Sequence, residues 1–192
     1  PYHGMPREVL INPDKVDQLV LVNPLGLNDT LAEGVPYADL GALRAQENQT
    51  SAESIRAYQQ RVYYDGQWLP RYDRWVAMLA GQYASPDGDV VRDAQARLSD
   101  MIQTQPVAAE FGRVKPPVTL IIGQRDKTSF RAGAAPAALR NTVRTVPQAA
   151  EDAVKQFQRG RLIRLDGLGH SPQVEDPARF QTALADTLTS RP

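Results

Sequence analysis

The chain has 192 residues, enough for a domain with a core of its own, and its 22 basic side chains balance 22 acidic ones. A net charge near zero argues against a nucleic-acid surface, which needs a basic excess, and no apolar run approaches the ~20 residues of a membrane span. The lack of cysteine excludes disulfides and thiolate metal sites, and two histidines without an HExxH pattern leave no zinc signature.

Residues 1–13 have proline at positions 1, 6 and 13 and little periodicity. Residues 18–23 form an apolar run that reads as a buried strand, ended by Pro24 and Gly26. From residue 27 to 110 the chain becomes helical, polar and rich in Tyr, Trp and Gln. Thr50-Ser51-Ala52-Glu53 has capping-box spacing, and the helix it starts puts Ile55, Tyr58, Val62 and Tyr63 on one face. A second helix groups Tyr72, Trp75, Val76 and Leu79, with Gly81 as its stop. A third, over residues 89–102, aligns Val91, Ala94, Leu98, Met101 and Ile102. Stripes of this kind are most often core.

Lys115-Pro116-Pro117 breaks the chain ahead of a β-branched run, residues 118–122, and Gly123-Gln124-Arg125-Asp126 turns away from it. Ser129 and Phe130 enter an Ala-rich stretch. A helix over residues 147–158 follows, with Pro147 in its first turn, Ala150, Ala153, Val154 and Phe157 on its apolar face, and Gly160 at its end. It is the natural crossover to a third strand, residues 162–165. The Gly-rich turn Asp166-Gly167-Leu168-Gly169 then delivers His170. Asp176 and Pro177 start the last helix, which presents Phe180, Ala183, Leu184, Thr187 and Leu188 to the sheet.

Asp126 and His170 thus each follow the C-terminal end of a strand. If the strands are parallel neighbours, both side chains emerge at one sheet edge, within hydrogen-bond reach. Imidazole titrates near neutral pH, and a carboxylate beside it fixes its tautomer and stabilises the imidazolium. Taken singly, Asp126 is a turn aspartate and His170 a loop histidine. Together they suggest proton-transfer chemistry.

Three stretches in order, DKVDQLVLVNPLGLND (residues 14–29), PPVTLIIGQRDKTS and LIRLDGLGHSPQVEDPARF, resemble the C-terminal half of an α/β-hydrolase of the capped kind. Leu21-Val22-Asn23-Pro24 matches the end of the strand after the nucleophile's helix. Gly123 and Asp126 match the Gly-x-x-Asp that carries the acid, and Gly169 and His170 match the Gly-His of the last strand. The resemblance implies an α/β fold of about three parallel strands with flanking helices. Residues 1–27 and 109–192 are then a partial core, and 28–108 a helical cap over the C-terminal ends of the strands. Residues 1–13 become the tail of the helix behind the nucleophile, with Tyr2-His3-Gly4-Met5 as a remnant of the segment after its elbow. Some of Tyr58, Trp68, Tyr72 and Trp75 then line a substrate pocket.

The family's Gly-x-Ser-x-Gly elbow and its oxyanion loop do not occur in these residues. Ser129 and Ser171 lie near Asp126 and His170, but neither sits on a strand–elbow–helix turn. The chain also begins at Pro1, which fits a fragment. The resemblance therefore implies hydrolysis of a small, largely apolar ester or related substrate, with His170 as general base and Asp126 as its orienting acid. The nucleophile would come from an N-terminal half outside these residues. No cofactor and no nucleic-acid partner are implied. The alternative is a non-catalytic truncated relative that acts as a binding or interaction module, or an inactive fragment. A nucleotide-binding reading is weak, because neither GxGxxG nor GxxxxGK[ST] follows a strand. The first strand is apolar enough to expect a neighbour on both sides.

Overall fold

A computed structural model describes residues 9–189 of the chain. Three strands, β1 (Leu19–Val22), β2 (Val118–Gly123) and β3 (Gly160–Leu165), form one parallel sheet in the order β1-β2-β3. Leu19 pairs with Val118, and Val118 with Gly160, so the three strands start level. β2 and β3 also end level, at Gly123 and Leu165, and β1 stops opposite Ile121, so the loops after all three strands meet at one edge of the sheet.

The central strand explains the layering. Every residue of β2 is buried. Val118, Leu120 and Ile122 alternate onto one face with Leu19 and Leu21, against α5 (Val146–Gln156). Ile121 faces the other way with Val20, Val22, Ile163 and Leu165, against Phe180, Ala183 and Leu184 of α6 (Pro177–Thr189). A strand covered on both faces must be apolar at every position, which is why β2 reads as an unbroken run. Among the described residues, β1 is paired on one side only, and Val20 and Val22 stay half-buried.

Between β1 and β2 lie α1 (Leu40–Glu47), α2 (Ala52–Tyr58), α3 (Asp73–Ala84) and α4 (Gly88–Thr104), and no strand interrupts them. α1 and α3 pack on α4, and α2 packs on α3. Gln103 of α4 is buried, its amide bonded to the backbone of Ala38 and its oxygen also accepting from Arg131. That places a polar anchor between this helical insertion and the loop after β2.

Several local expectations are corrected. The capping box of α2 pairs Ser51 with Ser54, one residue later than Thr50 and Glu53, because Ser54 Oγ can reach back to the Ser51 N–H. Gly81 does not end α3, which runs on to Ala84 and stops where Ser85 precedes Pro86. Ala94 is exposed, and Gly88, Ala96 and Gln103 are the buried positions of α4. Leu188 is 53 % exposed, while Thr187 is buried and its hydroxyl donates to Ala183 O. The stripe through Ile55, Tyr58, Val62 and Tyr63 is broken, since residues Gln59–Tyr63 form a π turn and Tyr58 is exposed. A π turn adds a residue per turn and rotates the face that follows it. Residues 9–11 are helical, and Val9 joins the core beneath β1 and β2. Tyr2-His3-Gly4-Met5 lies outside the described residues.

Candidate active site

The C-terminal ends of the strands bring Asn23, Asp126 and His170 together. Asn23 closes β1 with φ 40°, a left-handed conformation that asparagine tolerates better than most residues. Its side chain is buried and spans the whole sheet. Oδ1 accepts the Gly123 N–H at 2.9 Å, at the end of β2. That bond fixes the amide's orientation, so Nδ2 donates to Gly169 O at 2.9 Å and to Asp126 Oδ2 at 3.0 Å.

Asp126 is set by the turn after β2. Its N–H returns to Gly123 O, and the Arg125 N–H reaches Leu168 O in the loop after β3. Its carboxylate accepts the Thr128 N–H on Oδ1 at 2.7 Å and lies 2.7 Å from His170 Nδ1 through Oδ2. The Asp126 side chain is fully buried and that of His170 is 19 % exposed. Thr128 Oγ1 stands 3.1 Å from the same imidazole nitrogen. Asp126 and His170 are therefore brought within hydrogen-bond reach, and the imidazole is held through Nδ1. Among the described residues nothing bonds to its Nε2.

The loop that carries His170 is pinned on several sides. Gly169 N–H donates to Glu175 Oε1 at 2.8 Å, while Gly169 O takes Asn23. The Glu175 side chain is nearly inaccessible, and its other oxygen faces Arg125 at 3.8 Å. Burial raises the Glu175 carboxyl above its ordinary range, against the lowering effect of the Gly169 N–H and of Arg125. His170 N–H donates to Tyr63 O at 2.9 Å, and the Tyr63 ring stacks on the imidazole with centroids 4.1 Å apart.

Of the four aromatics expected near a pocket, Tyr58 reaches the site through an edge contact with Tyr63. Trp68 and Tyr72 gather around Tyr64, one ring further out. Trp75 instead stacks under Arg74. Burial holds the Tyr63 phenol above its usual range, and the nearby Asp126 charge adds to this. The Tyr63 hydroxyl is therefore neutral and able to donate at physiological pH. Ser129 Oγ donates to Arg144 O, away from the imidazole, and Ser171 precedes the short helix Pro172–Glu175 as its N-cap residue. Neither is placed on His170 Nε2. No cluster of three metal-ligating side chains occurs among the described residues, and no helix there is long and apolar enough to cross a membrane.

A model of the alpha/beta hydrolase family matches residues 3–183. The chain belongs to the alpha/beta hydrolase family. Its fold is similar to a probable hydrolytic enzyme from Pseudomonas aeruginosa PAO1, with 42 % identity and a TM-score of 0.92 over 96 % of this chain and 59 % of that one. It also resembles, in fold, 2-hydroxy-6-oxo-6-phenylhexa-2,4-dienoate hydrolase from Rhodococcus sp. strain RHA1, at 16 % identity and TM-score 0.61, covering 96 % of this chain and 59 % of that one. An esterase from Exiguobacterium antarcticum matches at 15 % identity and TM-score 0.61, over 97 % of this chain and 63 % of that one. No curated protein matches. The chain thus spans about three fifths of the length of these alpha/beta hydrolase structures.

Sequence reasoning placed Asp126 and His170 but missed three supporting residues. Asn23 ends the first strand, and its partners lie too far along the chain for a local pattern to mark them. Thr128 and Glu175 lay within stretches already read as loop and helix start. Nothing local marked them.

Proposed function

We propose that this chain supplies the acid and the histidine of a hydrolase triad. The complete enzyme would cleave a small, largely apolar ester or related substrate. The observation that carries this is the 2.7 Å contact between Asp126 Oδ2 and His170 Nδ1, at the C-terminal ends of parallel strands. With Nδ1 engaged, Nε2 is the nitrogen left to take a proton from a nucleophile and return it to the leaving group. Asp126 orients the ring and stabilises the imidazolium. The resemblance to a probable hydrolytic enzyme, at 42 % identity, supports hydrolysis over other chemistries of the fold.

The nucleophile is assigned to a segment outside these residues, because no Gly-x-Ser-x-Gly occurs in them. The oxyanion donors are assigned there too. Loss of a single such donor costs ~10²–10³ in rate, so the 192 residues alone are expected to be inert. The insertion, residues 28–108, acts as a cap on the core formed by 1–27 and 109–192, and Tyr58 and Tyr63 border the substrate. The absent elbow equally favours a second reading, a relative that binds without turning over.

The test is hydrolysis of a short p-nitrophenyl ester by the 192-residue chain, by the protein that also carries an upstream Gly-x-Ser-x-Gly half, and by its His170→Ala variant. Turnover in the longer protein alone, lost with His170→Ala, is expected. Turnover by the 192 residues would reveal a nucleophile among them. No turnover in the longer protein would favour the binding reading.

A further inference from the structure

The helical insertion touches the acid–histidine pair through one short segment, the π turn Gln59–Tyr63. In it the Tyr64 N–H reaches back to Gln59 O, and the Gly66 N–H to Gln60 O. The helix unwinds at this point, so the last carbonyls are not taken by the turn itself and need partners elsewhere. Those partners are the two site loops. Val62 O accepts the Lys127 N–H at 3.0 Å, next to Asp126, and Tyr63 O accepts the His170 N–H at 2.9 Å. The backbone passes so close that a Cβ on Gly169 would stand 1.8 Å from Tyr63 O. Above this contact the Tyr63 ring lies on the imidazole, 4.1 Å between centroids and 28° between planes.

The geometry points to Tyr63 as a positioning residue for His170, a role that rests on the proton-transfer reading of that histidine. The bond from Asp126 to Nδ1 fixes one atom of the ring. It leaves the ring free to tilt about the Nδ1···Oδ2 line, and such a tilt carries Nε2 away from a nucleophile. A stacked aromatic blocks the tilt on one face. The Tyr63 carbonyl meanwhile holds the backbone from which the ring hangs. The insertion thereby sets the direction of Nε2 and is more than a cover over the site.

The stacking predicts that the phenol oxygen is dispensable and the ring is not. In the complete enzyme, Tyr63→Leu is expected to lower kcat by ~2- to 10-fold, the range of one aromatic contact, with KM nearly unchanged. Tyr63→Phe should restore the wild-type value. A second readout needs no turnover. The chain has only two histidines, His3 and His170, so the imidazole proton resonances are readily assigned by NMR with His3→Ala. The Tyr63 ring current should displace the His170 ring protons upfield of their position in urea. Tyr63→Leu should abolish the displacement, and Tyr63→Phe should keep it.

Wild-type His170 protons without that displacement overturn the proposal, and this measurement stands even where Tyr63→Leu fails to fold. It is also overturned by Tyr63→Phe losing as much kcat as Tyr63→Leu, since the hydroxyl would then be the active part. The two readings fail separately. If His170→Ala retains full hydrolysis, the proton-transfer role falls, whatever the spectra show.

Discussion

Replacing Asn23 with alanine should be among the most damaging single changes to the site. The carboxamide is buried and makes three hydrogen bonds, to Gly123 N–H, Gly169 O and Asp126 Oδ2. Alanine removes all three and leaves two neutral backbone groups and one carboxylate oxygen each short of a partner. An unsatisfied buried group costs ~1–3 kcal/mol, and a bond to a charged group contributes ~1.5–3 kcal/mol. Alanine also tolerates φ 40° less well than asparagine, by ~1 kcal/mol. Water entering the vacated space recovers part of the loss, so the expected destabilisation is about 3–5 kcal/mol. That is a large share of the ~5–15 kcal/mol that holds a typical domain together. Urea unfolding followed by circular dichroism gives the difference from the shift in midpoint at constant slope. Asn23→Asp is the informative companion. It keeps the acceptor for Gly123 but turns both donors into a second carboxylate beside Asp126. Its deficit should shrink as pH falls and the new carboxyl takes a proton it can donate. A loss below about 1 kcal/mol for Asn23→Ala would refute the hub role of this side chain.

Two further changes probe the loop that carries His170. Burial raises the Glu175 carboxyl, so its folded value lies above its unfolded one. Its ionisation therefore opposes folding at neutral pH, and that opposition vanishes as pH falls below the unfolded carboxyl value of ~4.3. Glu175→Gln retains an acceptor for Gly169 N–H, so its stability relative to wild type should be higher at pH 7.5 than at pH 4; an equal difference at both pH values contradicts the assignment. Gly169→Ala should cost at least ~1–3 kcal/mol in the same unfolding assay, because its methyl group collides with Tyr63 O and the π turn must move.

What could be read from the sequence divides along physical lines. The strands were legible because β2 is buried on both faces and writes its environment into six consecutive residues. Asp126 and His170 were legible because tight turns place side chains by local chemistry, and Gly123 and Gly167-Leu168-Gly169 announce those turns. Asn23 was not legible as a hub, since its partners lie 100, 103 and 146 positions away and no local pattern encodes them. Glu175 is only six residues from Gly169, yet its role depends on the chain folding back through Ser171 and Pro172. The π turn was hidden for another reason. Hydrophobic periodicity assumes 3.6 residues per turn, and a local widening leaves composition unchanged while rotating Tyr63 onto the histidine. The sequence thus exposed the residues whose placement is local, and left unmarked those whose work is to bind distant loops to one another. If that division is physical, the unmarked group of Asn23, Tyr63 and Glu175 should be where substitutions loosen the Asp126–His170 contact while leaving the three strands paired.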